Sequence, residues 1–518
     1  MTFLCDSKYI ILPASFHAQK KRLLFYANDV LVYDLVVSLD YDQPDFQFPL
    51  NVERFAGQTL RLECEPAMDI RFEKTEQPQL DYSGKYRPYI HFTSQRGWIN
   101  DPNGLIYHNG TYLLYYQHNP VATTWENMHW GSAESKDLFH WTEKGDVLFP
   151  DENGTIFSGC GIIDHRNLSG LGQNGEAPLL FFYTCAGGAS KASAGKRCTQ
   201  NLAYSIDGGK TLLRYPNPVV EQLAPGNRDP KVIYYEPDDC YIMVMFLEGH
   251  EFAFLRSNNL LDWQELQRMT LPDDAECPDF YPLPIDGENG VKWVFSAASD
   301  WYCIGSFDGK QFTAESKPHR LNYGDRSYAA QSWSDAPNGR RIRTAFITAV
   351  IPGMPFGNCL DIPQEVTLKR VNGELALCVN PVEEIRALAQ KTLRFDRVTV
   401  NDEHPFTAPI TSKACDIELS VRCAASFTLS LFGLSISYDA AEEALHCGEL
   451  QAHVKSTNGC ITLRILYDTV CAELFAESGS VFMGIGYIQD YALNRLELLS
   501  TNAVIEQLSV SELENMFH

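Results

Sequence analysis

Ser135-Lys136-Asp137-Leu138-Phe139-His140-Trp141 is the stretch on which the fold turns, because its outline recurs. A serine, then Asp or Asn two residues on, then a turn and usually an aromatic, returns in three places. They are Ser205-Ile206-Asp207-Gly208-Gly209, Ser257-Asn258-Asn259 running to Trp263, and Ser306-Phe307-Asp308-Gly309 running to Phe312. The four serines are 70, 52 and 49 residues apart. Ahead of each lies an apolar segment of strand length, at 112–116, 179–184, 241–247 and 293–297, and a fifth at 342–350 is followed by a hairpin over 366–379. A unit of about 50 to 70 residues, made of short strands without helical periodicity and repeated about five times, reads as the blade of a β-propeller. An irregular β-sandwich is the competing arrangement.

Outward from the repeat the pattern changes on both sides. Residues 1–80 alternate apolar and polar in short runs, as in Leu31-Val32-Tyr33-Asp34-Leu35-Val36-Val37, which predicts a small antiparallel β module. Residues 73–86, rich in Gln, Pro, Asp, Ser and Gly, read as a linker. After a short helical stretch at 381–391, runs such as Ile417-Glu418-Leu419-Ser420-Val421 alternate as half-buried strands do. The expectation is an all-β chain: an accessory module over 1–80, a five-bladed β-propeller over 86–380 and a C-terminal β-sandwich over 385–518.

Acidic residues outnumber basic ones 66 to 42, a net charge of −24, and no Lys/Arg-rich run is present to neutralise phosphates. Nucleic acid and anionic membranes are therefore excluded as partners, while neutral sugars are not. No stretch reaches the roughly 18 to 20 apolar residues that span a bilayer. The fifteen cysteines form no Cys-x-x-Cys pair, and no His cluster has metal-ligand spacing, so neither a metal nor a cofactor is expected. Unpaired cysteines and a first segment without a secretory pattern predict a cytoplasmic protein.

Three acidic residues stand in unusual settings: Asp101 in Trp98-Ile99-Asn100-Asp101-Pro102-Asn103-Gly104, Asp229 in Gly226-Asn227-Arg228-Asp229-Pro230, and Glu276 in Ala275-Glu276-Cys277-Pro278. Alone, Asp-Pro-Asn-Gly is turn chemistry. Each of the three, however, precedes a proline directly or one residue later, so each belongs to a restrained, non-helical boundary. On the repeat frame they fall in the first, third and fourth blades, whose loops can face one channel. Paired carboxyl groups are the usual apparatus for cleaving a glycosidic bond.

With these motifs in order, the chain resembles glycoside hydrolase family 32, the β-fructosidases that include invertases, inulinases and levanases. The resemblance rests on Trp98–Gly104, Tyr116-Gln117-His118-Asn119-Pro120, Trp125-Glu126-Asn127-Met128-His129-Trp130-Gly131, Phe157-Ser158-Gly159, Asn227-Arg228-Asp229-Pro230, Glu276-Cys277-Pro278 and Ser327-Tyr328-Ala329-Ala330-Gln331. It implies that Asp101 attacks the anomeric carbon of a terminal β-fructofuranoside and that Glu276 protonates the leaving oxygen. It also implies that Asp229 stabilises the transition state and binds fructose with Arg228. Asn100, Gln117, Trp125, Phe157 and Ser158 are implied to line the fructose pocket, and Cys277 joins them as a sugar contact. This mechanism needs Asp101 ionised, which N–H groups of its own turn are expected to favour, and Glu276 protonated through burial beside Cys277. Ala345-Phe346 stands where many members have Gly-Trp, so a wall of the leaving-group subsite is expected to differ.

The implied activity is hydrolysis of sucrose or β-fructans of the inulin or levan type. A fructosyltransferase using the same residues, and a non-catalytic fructan-binding protein, are the alternatives. The partner is a neutral fructose-containing saccharide, and homo-oligomerisation through the flanking β modules is left open.

Overall fold

The computed structural model describes residues 1–349, 351–423 and 425–517. Five consecutive antiparallel sheets begin with the strands Gly97–His108, Thr155–Ile163, Arg228–Tyr235, Asp279–Pro284 and Ser327–Ser332. These first strands touch one another in sequence, and the fifth returns to the first. They are the inner strands of five blades. The ring is closed by backbone: Tyr107 N–H donates to Ser334 O and Ser334 N–H to Leu105 O, both at 2.9 Å, while Phe356–Gly357 pairs in parallel with Gly97 and Trp98. Closure around a channel rules out the irregular sandwich for this region.

The recurrent Ser-x-Asp/Asn has a local cause. It sits where the third strand of a blade hands over to the fourth. Asp137 accepts the N–H groups of Phe139 and His140, Asp207 those of Lys210 and Thr211, Asn259 those of Leu261 and Asp262, and Asp308 those of Lys310 and Gln311. Each acidic or amide side chain thus satisfies donors that a tight connection leaves without a ladder partner. The apolar segments ahead of them are the second strands, buried on both faces, as in Leu179–Ala186. The fifth is Ile342–Ile347, and Val350, expected to end it, lies outside the described residues.

Three expectations need correction. Asp-Pro-Asn-Gly is not a turn between strands: it lies inside the inner strand Gly97–His108, whose register shifts between Ile99 and Pro102 and again between Asn103 and Ile106. Bulges of this kind tolerate Pro and re-aim side chains. The helical stretch at 381–391 is a 3₁₀ segment, Glu383–Leu388, followed at once by the strand Ala389–Asn401. The linker over 73–86 begins with a strand, Glu73–Thr75, paired with Tyr9–Ile11.

After the propeller, two six-stranded sheets pack face to face as a β-sandwich around Ile417, Leu419, Leu463 and Leu508. One apolar cluster runs from Ile90 and Phe92 through Leu466 and Phe475, so sandwich and propeller share a core. His91, with no exposure, is held in this seam by Asp468 at 2.9 Å and Glu473 at 3.0 Å. Burial alone lowers a histidine's pKa, but the two carboxylates outweigh it and hold His91 well above its ordinary value. The N-terminal module is a pair of small sheets, of four and three strands, around Leu12, Phe25, Leu35 and Phe48.

Candidate active site

The bulged inner strand of blade one presents Asp101, a second bulge between Arg228 and Lys231 presents Asp229, and the segment leading into blade four presents Glu276. Asp229 and Glu276 both have φ of 60°, and Cys277 has φ of 38°. For residues other than Gly or Asn this backbone costs on the order of 1 to 3 kcal/mol each, the strain that accumulates where side chains must be aimed.

The three carboxyl groups converge. Asp101 Oδ2 accepts from Ser158 Oγ at 2.5 Å and Cys277 Sγ at 3.3 Å, and Oδ1 from Asn100 Nδ2 at 3.0 Å. Cys277 also reaches Asp229 Oδ2, with its Sγ at 3.5 Å and its N–H at 3.2 Å. Asp229 N–H donates to Thr184 Oγ1 at 2.9 Å. Arg228 donates to Glu276 Oε1 from Nη2 at 2.6 Å and from Nε at 3.2 Å, and Tyr328 donates to Oε2 at 2.5 Å.

These contacts revise the expected electrostatics. The donors to Asp101 are side chains of three separate segments, not N–H groups of its own turn. Burial raises its pKa above the ordinary aspartate value, Ser158, Asn100 and Cys277 pull it back, and the charge of Glu276 pushes it up. Asp229 is driven to about 7, first by burial and then by the charge of Asp101, with Arg228 opposing. Glu276 sits between Arg228 and Tyr328 rather than against Cys277. If Asp101 must be ionised for turnover, the acid limb of kcat/KM is expected above the ordinary aspartate value, since activity is lost as pH falls through a raised pKa. Ser158→Ala removes a donor that favours the ionised form, so a pH profile should show that limb moved to higher pH. A limb that stays put or moves down would contradict the role of Ser158.

A cavity of about 260 Å³ is lined by Asn100, Asp101, Gln117, Trp125, Phe157 and Ser158 on one side. Arg228, Asp229, Glu276, Tyr328 and Phe346 complete it. Gln117 is 2% exposed and its Nε2 has no partner, a donor left for a polar ligand. Trp125 is 53% exposed at the rim, its ring edge-on to Phe157. Cys277, expected among the sugar contacts, does not line the cavity. It is buried behind the carboxylates because its thiol bridges Asp101 and Asp229. Tyr328 was not expected as a site residue, and Phe346 was expected only as part of an altered wall of the leaving-group subsite. Tyr328 lay unassigned in the Ser327–Gln331 motif, and Phe346 is the residue at the departure from Gly-Trp, packed edge-on to Tyr328. Larger cavities occur on the sandwich, at 540 Å³, and beneath the N-terminal module, at 650 Å³. In the first, Arg386 pairs with Glu418 and Arg464 with Asp416, and in the second Lys8 pairs with Glu53 and Arg214 with Asp151. Among the described residues no group of three His, Cys, Asp or Glu is arranged to hold a metal ion, and no helix is long and apolar enough to cross a membrane.

Residues 91–381 match the model of the glycosyl hydrolases family 32 N-terminal domain. The chain belongs to glycosyl hydrolase family 32. Its relatives include a levanase of Bacillus subtilis (strain 168), 30% identical over 83% of this chain and 70% of that protein. An extracellular exo-inulinase of Aspergillus ficuum is 28% identical over 83% of this chain and 94% of its own length. Among solved structures, the exo-inulinase of Aspergillus awamori superposes with a TM-score of 0.76 at 25% identity, over 84% of this chain and all of that one. A fructofuranosidase of Schwanniomyces occidentalis complexed with fructose gives the same TM-score at 24% identity, again over 84% of this chain and all of that one. The two solved structures are thus matched over their whole length by 84% of this family 32 chain.

Proposed function

We propose that this family 32 enzyme releases terminal β-D-fructofuranosyl units from sucrose or β-fructans by double displacement. The observation that carries the proposal is the convergence of Asp101, Asp229 and Glu276 on one cavity, small for a ligand site and suited to a single sugar ring. In the first half-reaction an Asp101 carboxylate oxygen bonds to the anomeric carbon as the bond to the leaving oxygen breaks, and Glu276 gives that oxygen its proton. In the second, water attacks the same carbon, Glu276 takes the water's proton, and Asp101 departs as a carboxylate. Asp229 faces the charge that develops on the ring, while Arg228, Asn100 and Gln117 offer donors to its hydroxyls. Trp125, Phe157 and Phe346 supply the apolar wall against which a furanose packs.

Hydrolysis at chain ends is supported by the names of the relatives, levanase and exo-inulinase. A product time course on sucrose, inulin and levan tests it. Fructose should appear as the sole early product from the polymers, and a first burst of oligosaccharides would overturn the exo reading. Twelve buried and three half-buried free cysteines support a reducing, cytoplasmic setting, whereas the fungal relatives are named extracellular. Counting free thiols in protein prepared without reductant separates the two, and disulfides there would remove the argument for the cytoplasm.

A further inference from the structure

The loop 120–128 joins the second and third strands of blade one and carries Trp125 to the rim of the cavity. At its start, Val121 is fully buried and belongs to the apolar core of the N-terminal module, not to that of the blade. At its end, the Asn127 side chain makes a two-point bond with the backbone of Val36 in that module. It accepts from Val36 N–H at 2.7 Å and donates to Val36 O at 2.8 Å. A second route runs through side chains. Tyr33 O–H lies 2.9 Å from His129 Nε2, and His129 Nδ1 bonds the Asn127 carbonyl. Burial pushes His129 down to about 4, so at neutral pH it is uncharged, taking the tyrosine hydroxyl on one nitrogen and donating from the other. Lys20 of the module also pairs with Glu126 at 2.8 Å.

From the propeller side the loop is held at its two ends, by Ile156 N–H donating to Met128 O at 2.9 Å and by Val121 N–H donating to Asn119 Oδ1 at 3.3 Å. Asn119 holds the Thr124 carbonyl at 2.8 Å and receives Asn127 Nδ2 at 3.0 Å. Gly357 lies so close that a Cβ there would meet Thr123 O at 2.7 Å. Trp125 itself, more than half exposed, has only Phe157 as an aromatic neighbour among the described residues. A rim aromatic with so little packing of its own depends on what fixes its backbone two residues away.

We infer that the N-terminal module is a positioning element of the active site: through Val36 and Tyr33 it fixes Asn127, and through Asn127 it holds Trp125 as a wall of the sugar cavity. The inference rests on the fructosidase reading for its kinetic arm alone. Asn127 is argued to act through Trp125 and not on the sugar. It is a positioning residue, and its φ of 53° makes glycine the replacement that keeps the backbone while deleting both bonds to Val36 together with the one to Asn119, so Tyr33→Phe serves as the variant confined to the module.

The test is a double-mutant cycle of Asn127→Gly with Trp125→Ala, read in kcat and KM on sucrose and inulin. Asn127→Gly alone should raise KM roughly tenfold with kcat within about twofold, as expected for a displaced binding wall. In the Trp125→Ala background the same change should leave KM where Trp125→Ala put it. Tyr33→Phe, which deletes only the hydroxyl, should give a smaller rise with the same dependence on Trp125. A KM change that adds in full to that of Trp125→Ala, or a fall in Tm with KM unmoved, would overturn the inference. The second arm is acrylamide quenching of the Trp125 contribution to fluorescence, taken as the difference from Trp125→Phe. Asn127→Gly should increase it, and unchanged quenching counts against the inference. If the wild-type chain releases no fructose, the functional reading fails and the quenching arm alone decides the positioning.

Discussion

Asp101→Asn is expected to lower fructose release from sucrose, inulin and levan by about 10⁴-fold or more, the scale on which a covalent nucleophile is lost. The amide keeps the shape of the side chain and cannot form the glycosyl ester. Little else in the cavity should move, because Asn103, which bonds the Asp101 carbonyl at 3.1 Å and Gly159 N–H at 3.0 Å, fixes the bulge from below. Substrate affinity should therefore survive, and initial rates measured beside fructose binding will show kcat falling with binding retained. Residual turnover within about tenfold of the wild type would remove Asp101 from the nucleophile's role. A loss of binding equal to the loss of rate would make it a sugar ligand instead.

What sequence could reveal of this site follows from how local each feature is. The propeller was legible because its repeat is a short-range device: Ser135 and Asp137 satisfy N–H groups within five residues, the same happens at Ser205 and Ser257, and in the fourth blade Asp308 does it. The carboxylates were legible for a related reason, since strained bulges restrict the residues around them and so leave motifs. Tyr328 and Phe346 left a weaker trace. Tyr328 is defined as a site residue by an oxygen of Glu276, 52 positions away in the chain. Phe346 was visible only as a departure from Gly-Trp. Protonation was least accessible: the push of Asp229 to about 7 comes from burial and from a carboxylate 128 positions earlier, neither of which a local stretch encodes. The misreading of Asp-Pro-Asn-Gly has the same origin. Turn residues and bulge residues are chosen for the same backbone freedom, and only the pairing of Pro102 with Tyr116 distinguishes them.

Glu276→Gln should lower turnover of sucrose and fructans by roughly 10² to 10⁴-fold, the usual contribution of a positioned proton donor. The loss should shrink for an aryl fructoside whose leaving group needs no proton, and azide should restore part of the rate by attacking the fructosyl-enzyme without base assistance. Equal losses on activated and natural substrates, with no response to azide, would show that Glu276 holds the sugar rather than moving a proton. On the proton-donor reading the geometry gives the substrate a part in freeing the donor. Before binding, Oε1 takes two N–H groups of Arg228 and Oε2 the hydroxyl of Tyr328, an arrangement suited to a carboxylate as acceptor. Sugar hydroxyls entering the cavity are expected to compete for Arg228, which also borders Asp229 at 3.7 Å. On the reading of Glu276 as proton donor, Arg228 is then placed to couple recognition of the fructose ring to the release of Glu276 for its proton transfer.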